Sequence, residues 1–383
     1  MNGSVSIGRI GGVPLRLRWS APLLVIVLSI GLGSGTLPAW APGHSGTAYR
    51  IWAIAGALLL TASLLAHEAA HALAAHHAKI DVKDVTIFAL GGVTRMALPA
   101  SARSQGRIAA AGPATSLLLG GICLGGAALT RDALHWPLPG AVLAWGGFAN
   151  ILLAAFNLLP AAPLDGGRVL QAVIWRIRGD REGAARVSGR CGQVAGALMI
   201  AVGWLEFLAR AGSGLWLALI GAFVTVAATA EVRRAELFQR LRGMSVADVM
   251  RPAVTGQDWQ SVERFLAETA PRAGDQPVVP LTDLDGRLTG CVTMPGLRAM
   301  PASRRAVTRV RDVAAPLDRC VIARPDEPVT EVLNRAGLSS GGPVLVLDHE
   351  HVVGIITAAD LVLRSGSDRR TSPPPARHAD HRR

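Results

Sequence analysis

The sequence predicts a polytopic α-helical membrane protein that carries an α/β module in its C-terminal part. Half of the 383 residues are hydrophobic and the mean hydropathy is +0.35, above the range of typical soluble proteins. Apolar stretches close to the roughly 20 residues that cross a bilayer recur through the N-terminal part of the chain. Beyond Glu231 the composition becomes charged, and short β-rich runs alternate with helical patterns.

Several apolar segments are each long enough to span the hydrocarbon core of a bilayer. The fourth runs into a Pro- and Gly-rich stretch, where it could break or re-enter the membrane. We expect about six transmembrane helices, over residues 19–38, 51–75, 108–130, 141–164, 191–209 and 214–230.

The distribution of basic residues predicts the orientation of these helices. The segment before the first helix and every second loop are rich in arginine and lysine, while loops 39–50, 131–140 and 210–213 hold at most one positive charge each. The positive-inside rule therefore places both termini in the cytoplasm. The basic residues behind the net charge of +12 then serve mainly to orient the helices in the membrane. Because only 4% of the residues are aromatic, the charge gives no support to a nucleic-acid partner.

Residues 1–18 are predicted to be a cytoplasmic lead-in, and a cleaved signal peptide is the alternative. Arginines precede an apolar core there, and the residues LPAWA after it resemble a small-residue cleavage site. Removal of the first span would leave an odd number of helices and would spoil the alternation of charge, so we prefer six spans.

The four cysteines, Cys123, Cys191, Cys291 and Cys320, lie far apart in the sequence and form no CxxC pair. This spacing favours neither a disulfide framework nor a thiolate zinc site. A reducing compartment is the simplest expectation for the soluble part.

The second predicted span contains polar residues that are typical of zinc hydrolases. In LLAHEAAHALAAHH, His67 and His71 are four residues apart, so both imidazoles leave one face of a helix and can bind one metal ion. Glu68 falls beside them, where a carboxylate can take a proton from an attacking water without being a ligand. The simpler alternative is that the three are interfacial residues at the point where the helix leaves the bilayer.

A catalytic zinc site needs a third protein ligand. The longer pattern HExxHxxGxxH would supply His77, but Ala74 replaces the turning glycine and a continued helix points His77 elsewhere. The candidate is Asp165 in FNLLPAAPLDGGRVL, which follows the fourth span on the cytoplasmic side among helix-breaking prolines and glycines. By itself, Asp165 could equally be a helix N-cap or an ion-pair partner of Arg168.

The HExxH motif in one predicted span and the pattern N-x-x-P-x-x-P-L-D-G-G in a later one resemble the site-2 protease family of intramembrane zinc metalloproteases, over about residues 7–231. This resemblance implies that His67, His71 and Asp165 hold one Zn²⁺ ion, that Glu68 is the general base and that Asn157 binds or polarises the scissile peptide. It also implies regulated intramembrane proteolysis of transmembrane proteins, often anti-sigma factors that another protease has already shortened.

Two further stretches are similar to this family. AAGPATS at 110–116 resembles its Gly-Pro helix, although Ser116 stands where many members have asparagine. VKDVTIFALGGVTRMAL is interpreted as a β-hairpin around Gly91 and Gly92, which in the family borders the active site and could receive an unwound substrate as an added strand. An ordinary cytoplasmic hairpin is an equal alternative.

The soluble module at 244–365 contains a weak internal repeat of roughly 60 residues. Both copies open with VxDV and end in a strand followed by a short turn, and they resemble a pair of CBS domains, which commonly bind adenine nucleotides. The resemblance implies ribose contacts from Thr357 and Asp360; the first copy has Thr293 but Gly296 in the Asp position. A ligand-free role, or formation of a homodimer through the CBS domains, is an equal alternative. Residues 366–383 are expected to be a disordered tail.

The leading hypothesis is an intramembrane zinc protease in contact with membrane lipid and regulated by a cytoplasmic CBS pair. A CBS-regulated metal-ion or solute transporter is the rival from another class, in which the same residues would bind the cargo. A transporter should have polar residues along several spans and repeated hydrophobic halves, and the sequence has neither. A third hypothesis is an inactive relative that only binds membrane clients.

Overall fold

The computed structural model describes residues 4–10, 12–88, 91–209, 214–317, 320–336, 344–349, 351–357 and 360–361. It divides the chain into two compact units, Met1–Glu236 and Leu237–Arg383. The predicted tail at 366–383 lies outside the described residues, as do the hairpin residues 89–90.

Apolar helices form most of the first unit. Among the described residues, six helical segments are long and apolar enough to cross a membrane, so the predicted number of spans is confirmed. The first, Ala21–Trp40, consists of α1 (Ala21–Gly31), a π-helical turn and α2 (Leu37–Trp40). The later spans are formed by α3 (Gly46–His77), α4 (Ala102–Ala128) with its π-helical extension to Ala133, α5 (Pro137–Asn157), α7 (Arg181–Leu208) and α8 (Gly214–Arg240), and the shorter α6 (Asp165–Arg178) lies between α5 and α7.

The helix of the fourth span ends earlier than the apolar run does. α5 ends at Asn157, and residues 158–164 connect it to α6, so the expected break falls inside the predicted range 141–164. Pro160 and Pro163 explain the end of the helix, because proline has no backbone N–H and disfavours a helical conformation of the residue before it. Asp165 therefore begins a new helix instead of ending a long one.

The outward surface of the helices is apolar. Leu118, Leu152 and Val226 are 65%, 70% and 71% exposed, as side chains that face lipid would be. Between α7 and α8, in contrast, glycine allows the backbones to approach closely. A Cβ atom added to Gly196 would lie 2.7 Å from the carbonyl oxygen of Gly221.

A four-stranded sheet packs against α3. Its order is β1 (Ser4–Ile10), β2 (Val13–Arg18), β3 (Val82–Phe88) and β4 (Gly91–Met96), with β2 and β3 parallel and the other pairs antiparallel. The predicted hairpin is β3–β4, but Gly91 and Gly92 lie within β4. Buried Val13, Leu15 and Val85 form a cluster with Ala72 of α3.

The strands β1 and β2 were missed in the predicted lead-in. They are short and arginine-containing; they pair with each other as a local hairpin, and β2 also pairs with β3, which is distant in the sequence. The N-terminal residues therefore belong to the same sheet as the hairpin and help to fix it beside α3.

The second unit repeats one strand topology. One sheet has the order β5 (Gly256–Gln257), β6 (Val278–Thr282), β7 (Leu288–Thr293), and the other β8 (Val321–Ala323), β9 (Val344–Asp348), β10 (His351–Ile356). In both sheets the first two strands are parallel and the last two antiparallel. The internal repeat is thus confirmed as a repeated topology. In the described part of this unit the α-helices are α9 (Val246–Val249), α10 (Val262–Glu268), α11 (Ala270–Ala273), α12 (Met294–Arg298), α13 (Ala302–Arg305) and α14 (Val329–Ala336).

The two sheets share a small apolar core. Val278 and Cys291 of the first sheet cluster there with Leu345 and Ile355 of the second, and all four are buried. The partly buried Cys320 packs against this cluster.

The α7–α8 contact generates a stability prediction. Gly196→Ala should lower the free energy of unfolding by about 1–3 kcal/mol, because the added methyl group meets Gly221 and Thr225 of the facing helix. The control is Gly121→Ala on α4, where nothing lies within 4 Å and the gain in helix propensity is the same. Thermal unfolding of both full-length variants in detergent compares them; equal midpoints would contradict the packing described here.

Candidate metal centre

Two histidines of α3 and the first residue of α6 bring three potential ligand atoms together. The Nε2 atoms of His67 and His71 are 3.3 Å apart, and Oδ2 of Asp165 lies 3.3 Å from the first and 3.2 Å from the second. The side chains are 3%, 8% and 13% exposed in the same order. The structure therefore gathers the three residues that the sequence analysis selected as ligands into one group able to hold a metal ion.

Close backbone packing positions Asp165. Gly167 lies against the preceding loop, where an added Cβ atom would be 2.7 Å from the carbonyl oxygen of Ala161. Ser188 of α7 forms hydrogen bonds with both α6 and the loop before it. Its hydroxyl donates to the Gly167 carbonyl (2.8 Å), and its own carbonyl accepts from the Ala162 N–H (3.1 Å). The two glycines of the PLDGG motif therefore have a steric function.

Each imidazole is oriented through its second nitrogen by α4. His71 Nδ1 donates to the carbonyl of Ile108 at 2.7 Å, and His67 Nδ1 is 2.8 Å from the hydroxyl of Ser116, which is completely buried. Gly112 leaves room for the rings, since its Cβ would lie 2.6 Å from His67 Nε2. Ser116, to which the sequence assigned no definite role, is thus a direct partner of His67.

The neighbouring carboxylate, Glu68, is held by strand β4. Thr94 Oγ1 donates to Glu68 Oε2 at 2.8 Å, and Gly92 packs against the Glu68 side chain. A two-fold hydrogen bond between Arg95 and the buried Asp84 (2.9 and 2.8 Å) links β3 to β4 next to Thr94. No sequence motif singles out Thr94. Its hydrogen bond with Glu68 forms because the hairpin packs on α3.

The electrostatic environment favours an ionised Asp165. Burial by itself raises the pKa of this carboxyl, but hydrogen bonds from His67 and His71 and the nearby charge of Arg168 lower it more. The net effect holds the pKa of Asp165 below its ordinary range, so the carboxylate is in the form that binds a metal ion.

Other residues considered in the sequence analysis lie apart from this group. Asn157 is half-buried at the end of α5, and its amide nitrogen donates to the Leu153 carbonyl at 3.0 Å. Within the described residues, no hydrogen bond joins Asn157 to the three clustered side chains. His77 is exposed at the end of α3, as a continued helix predicts.

One buried polar pair within the bundle was not anticipated. Asn150 of α5 is completely buried, and its amide nitrogen donates to the hydroxyl of Ser63 at 3.1 Å. Ser63 precedes His67 by four residues, so this hydrogen bond ties α5 to the same face of α3 that carries the imidazoles.

In the second unit, Thr357 and Asp360 are hydrogen-bonded to each other after β10. Oδ2 of Asp360 accepts from the backbone N–H (2.8 Å) and the hydroxyl (2.6 Å) of Thr357, and Arg251 Nε lies 3.4 Å from the same oxygen. The first repeat lacks this arrangement because Gly296 replaces the aspartate.

Two imidazoles, a carboxylate and an adjacent glutamate, set on helices long enough to cross a membrane, define a zinc-hydrolase type of site in a membrane protein. Comparison with known proteins agrees with this class. The profile of Peptidase family M50 matches residues 55–133 and 130–202, which include all four of these residues.

Similar full-length chains extend the match beyond the site. Rip3 of Mycobacterium tuberculosis, assigned to the zinc metalloproteases, is 38% identical over 98% of this chain and 96% of its own length. Zinc metalloprotease MJ0392 of Methanocaldococcus jannaschii is 24% identical over 94% of this chain and 96% of its own. The chain therefore belongs to peptidase family M50, the site-2 proteases, and is a multi-pass intramembrane zinc metalloprotease. This membership decides against the transporter alternative.

Solved structures similar to the two parts of the chain also exist. The site-2 protease from Methanocaldococcus jannaschii is 26% identical and covers 60% of this chain and 95% of its own, with a TM-score of 0.41. The CBS domain of a membrane protein from Sphaerobacter thermophilus is 18% identical and covers 35% of this chain and 96% of its own, with a TM-score of 0.28.

The contact between Ser116 and His67 leads to a prediction about metal affinity. Ser116→Ala should weaken zinc binding by about 10- to 100-fold, because an imidazole without its second hydrogen bond is less well oriented. Competition with a chelator measures the affinity. Thr115→Ala is the matched control, since the Thr115 hydroxyl bonds only the Ala111 carbonyl of its own helix among the described contacts; equal affinities of the two variants would argue against a role for Ser116.

The contact between Thr94 and Glu68 leads to a second prediction. Thr94→Val should lower kcat by about 10- to 100-fold with little change in KM or zinc content, because Glu68 loses the donor that orients it. Thr94→Ser keeps the hydroxyl and should restore most of the activity. A loss of the same size in both variants would show that Thr94 acts through packing and not through its hydrogen bond.

Proposed function

We propose that this protein hydrolyses peptide bonds in or next to the transmembrane segments of other membrane proteins, with His67, His71 and Asp165 as zinc ligands and Glu68 as the general base. The observation that carries the proposal is the convergence of three ligand atoms from α3 and α6 at 3.2–3.3 Å, inside a unit of membrane-spanning helices. Membership in the protease family implies membrane-protein substrates; the residue roles are the proposal.

The donor set fits zinc. Two imidazole nitrogens and one carboxylate oxygen are the ligands of many catalytic zinc sites, and three protein ligands leave a position for substrate or water. The hydrogen bond from His71 Nδ1 to Ile108 keeps the proton on Nδ1, so that Nε2 can give up the proton it shares with Asp165 and bind the ion through its lone pair. Zinc, when bound, polarises a carbonyl group and makes water more acidic.

Glu68 performs the proton transfers in this proposal. Its carboxylate takes a proton from the attacking water and later gives it to the leaving amine. The Thr94 hydroxyl keeps the carboxylate in one orientation. Asn157 is proposed to bind or polarise the scissile peptide, since it ends the helix directly before the loop that leads to Asp165.

The edge of strand β4 is the proposed binding site for the unwound substrate. In the described sheet β4 pairs with β3 alone, so its other edge has free backbone groups, and this strand contacts Glu68 through Gly92 and Thr94. A transmembrane helix hides its carbonyls in its own hydrogen bonds and must unwind before it can be cut. An unwound segment could replace those bonds by pairing with β4. Anti-sigma factors already shortened by another protease are the proposed substrate class.

The remaining parts of the proposal concern topology and regulation. Basic residues in alternate loops support cytoplasmic termini, with the protease domain at 19–235, tandem CBS domains at 244–365 and lipid around the helices. The CBS pair is proposed to regulate the protease, either by binding an adenine nucleotide near Thr357 and Asp360 or by forming a homodimer. A nucleotide would have to share the Asp360 carboxylate with Thr357 and Arg251.

The experiment compares Glu68→Gln with wild type in cleavage of a reconstituted model transmembrane substrate. Cleavage should fall by about 10²- to 10⁴-fold while zinc content is unchanged, because a general base is lost and the ligands are not. Glu206→Gln, in α7, is the control for loss of an acidic side chain within a span. Equal cleavage by Glu68→Gln and wild type, or wild type without zinc, would overturn the proposal.

A further inference from the structure

Two of the four cysteines, far apart in the sequence, meet in the soluble unit. The Sγ atoms of Cys291, in β7, and Cys320, directly before β8, are 3.0 Å apart, and no disulfide joins them in the structure. Cys291 is 7% exposed, while Cys320 is partly exposed and lies at the rim of the core that the two sheets share. The pair thus joins the first repeat to the segment that leads into the second.

The backbone holds the two thiols in this position. Cys291 exchanges two hydrogen bonds with Ala315, at 3.1 and 2.8 Å, which fixes the chain leaving the first repeat alongside β7. The Cys320 N–H donates to the Leu317 carbonyl at 3.0 Å, which ties Cys320 to the segment that pairs with β7. The proximity of the thiols therefore follows from the backbone pairing and does not depend on one flexible side chain.

Among the described residues, no group of metal ligands includes the pair. In the part of the chain that the structure describes, the residues grouped as a possible metal site are His67, His71 and Asp165, and no third ligand joins Cys291 and Cys320 in such a group. Two adjacent thiols, one accessible and one buried, are instead the arrangement in which a sulfenic acid can be captured by a second cysteine.

We propose that Cys291 and Cys320 form a reactive dithiol that hydroperoxides oxidise to an intramolecular disulfide. The partly exposed Cys320 reacts first: its thiolate attacks a peroxide oxygen, the O–O bond breaks, and a sulfenic acid and one water (or alcohol) result. The Cys291 thiolate then attacks the Cys320 sulfur and displaces the hydroxyl as water. The two thiols lose two electrons, which reduce the peroxide, and a dithiol reductant reverses the reaction by thiol–disulfide exchange.

The disulfide would connect β7 of the first sheet with the segment that enters β8 of the second. Rotation or separation of the two repeats is then limited by a covalent bond across their shared core. Both cysteines lie in the second unit, and formation of the disulfide does not depend on the proposed protease function.

The test treats the purified full-length protein in detergent with hydrogen peroxide, blocks free thiols and digests with trypsin. Wild type should yield a disulfide-linked pair of the peptides LTGCVTMPGLR and CVIARPDEPVTEVLNR, which disappears after treatment with dithiothreitol. Cys291→Ser should instead accumulate a sulfenic acid at Cys320, trapped by dimedone, because the second thiol is absent. Cys320→Ser should leave Cys291 reduced.

Cys191→Ser is the matched control, since it removes another partly exposed cysteine, located in α7, and should leave the linked peptides unchanged. Absence of the linked peptides in peroxide-treated wild type would overturn the proposal. A linkage found only in dimers on a non-reducing gel would overturn it too, because the pair is proposed within one chain.

Discussion

The burial of two imidazoles and a carboxylate among apolar helices is the constraint on which the rest of the membrane unit depends. A polar group withdrawn from water is costly unless it has a partner, and a bilayer supplies none. Each imidazole therefore requires a donor or acceptor from another helix. Ser116 and the Ile108 carbonyl of α4 meet the Nδ1 atoms, and Asp165 of α6 meets the Nε2 atoms. The positions of α4 and α6 beside α3 follow from this requirement.

Small residues make these approaches possible. Gly112 lets α4 come close to the imidazoles, and Gly166 and Gly167 let α6 start directly against the loop that precedes it. The prolines end α5 before that loop, so that Asp165 stands at a helix start and can point back toward α3. The motif residues around Asp165 are therefore explained by packing as much as by chemistry.

The hairpin beside α3 connects the buried centre to a surface that a peptide could reach. Its strand β4 contacts Glu68, and its pairing with β3 is fixed by the buried Asp84 and Arg95. The N-terminal strands complete the sheet, and β2 shares a core with Ala72, one residue after His71. Glu68, the proposed general base, is thus held between a membrane helix and a sheet.

The sequence by itself determined the membrane class, the six spans, the internal repeat and the selection of His67, Glu68, His71 and Asp165, because these depend on hydropathy and local spacing. Only the tertiary structure decided which groups orient them: Ser116 and Thr94 have no local pattern, and each acquires its partner from a distant segment. The same reason applies to the pairing of β2 with the distant β3, and to Cys291 and Cys320, whose separation in the sequence concealed that their sulfur atoms are in contact. Long-range contacts depend on how helices and strands pack, and a linear pattern does not contain that information.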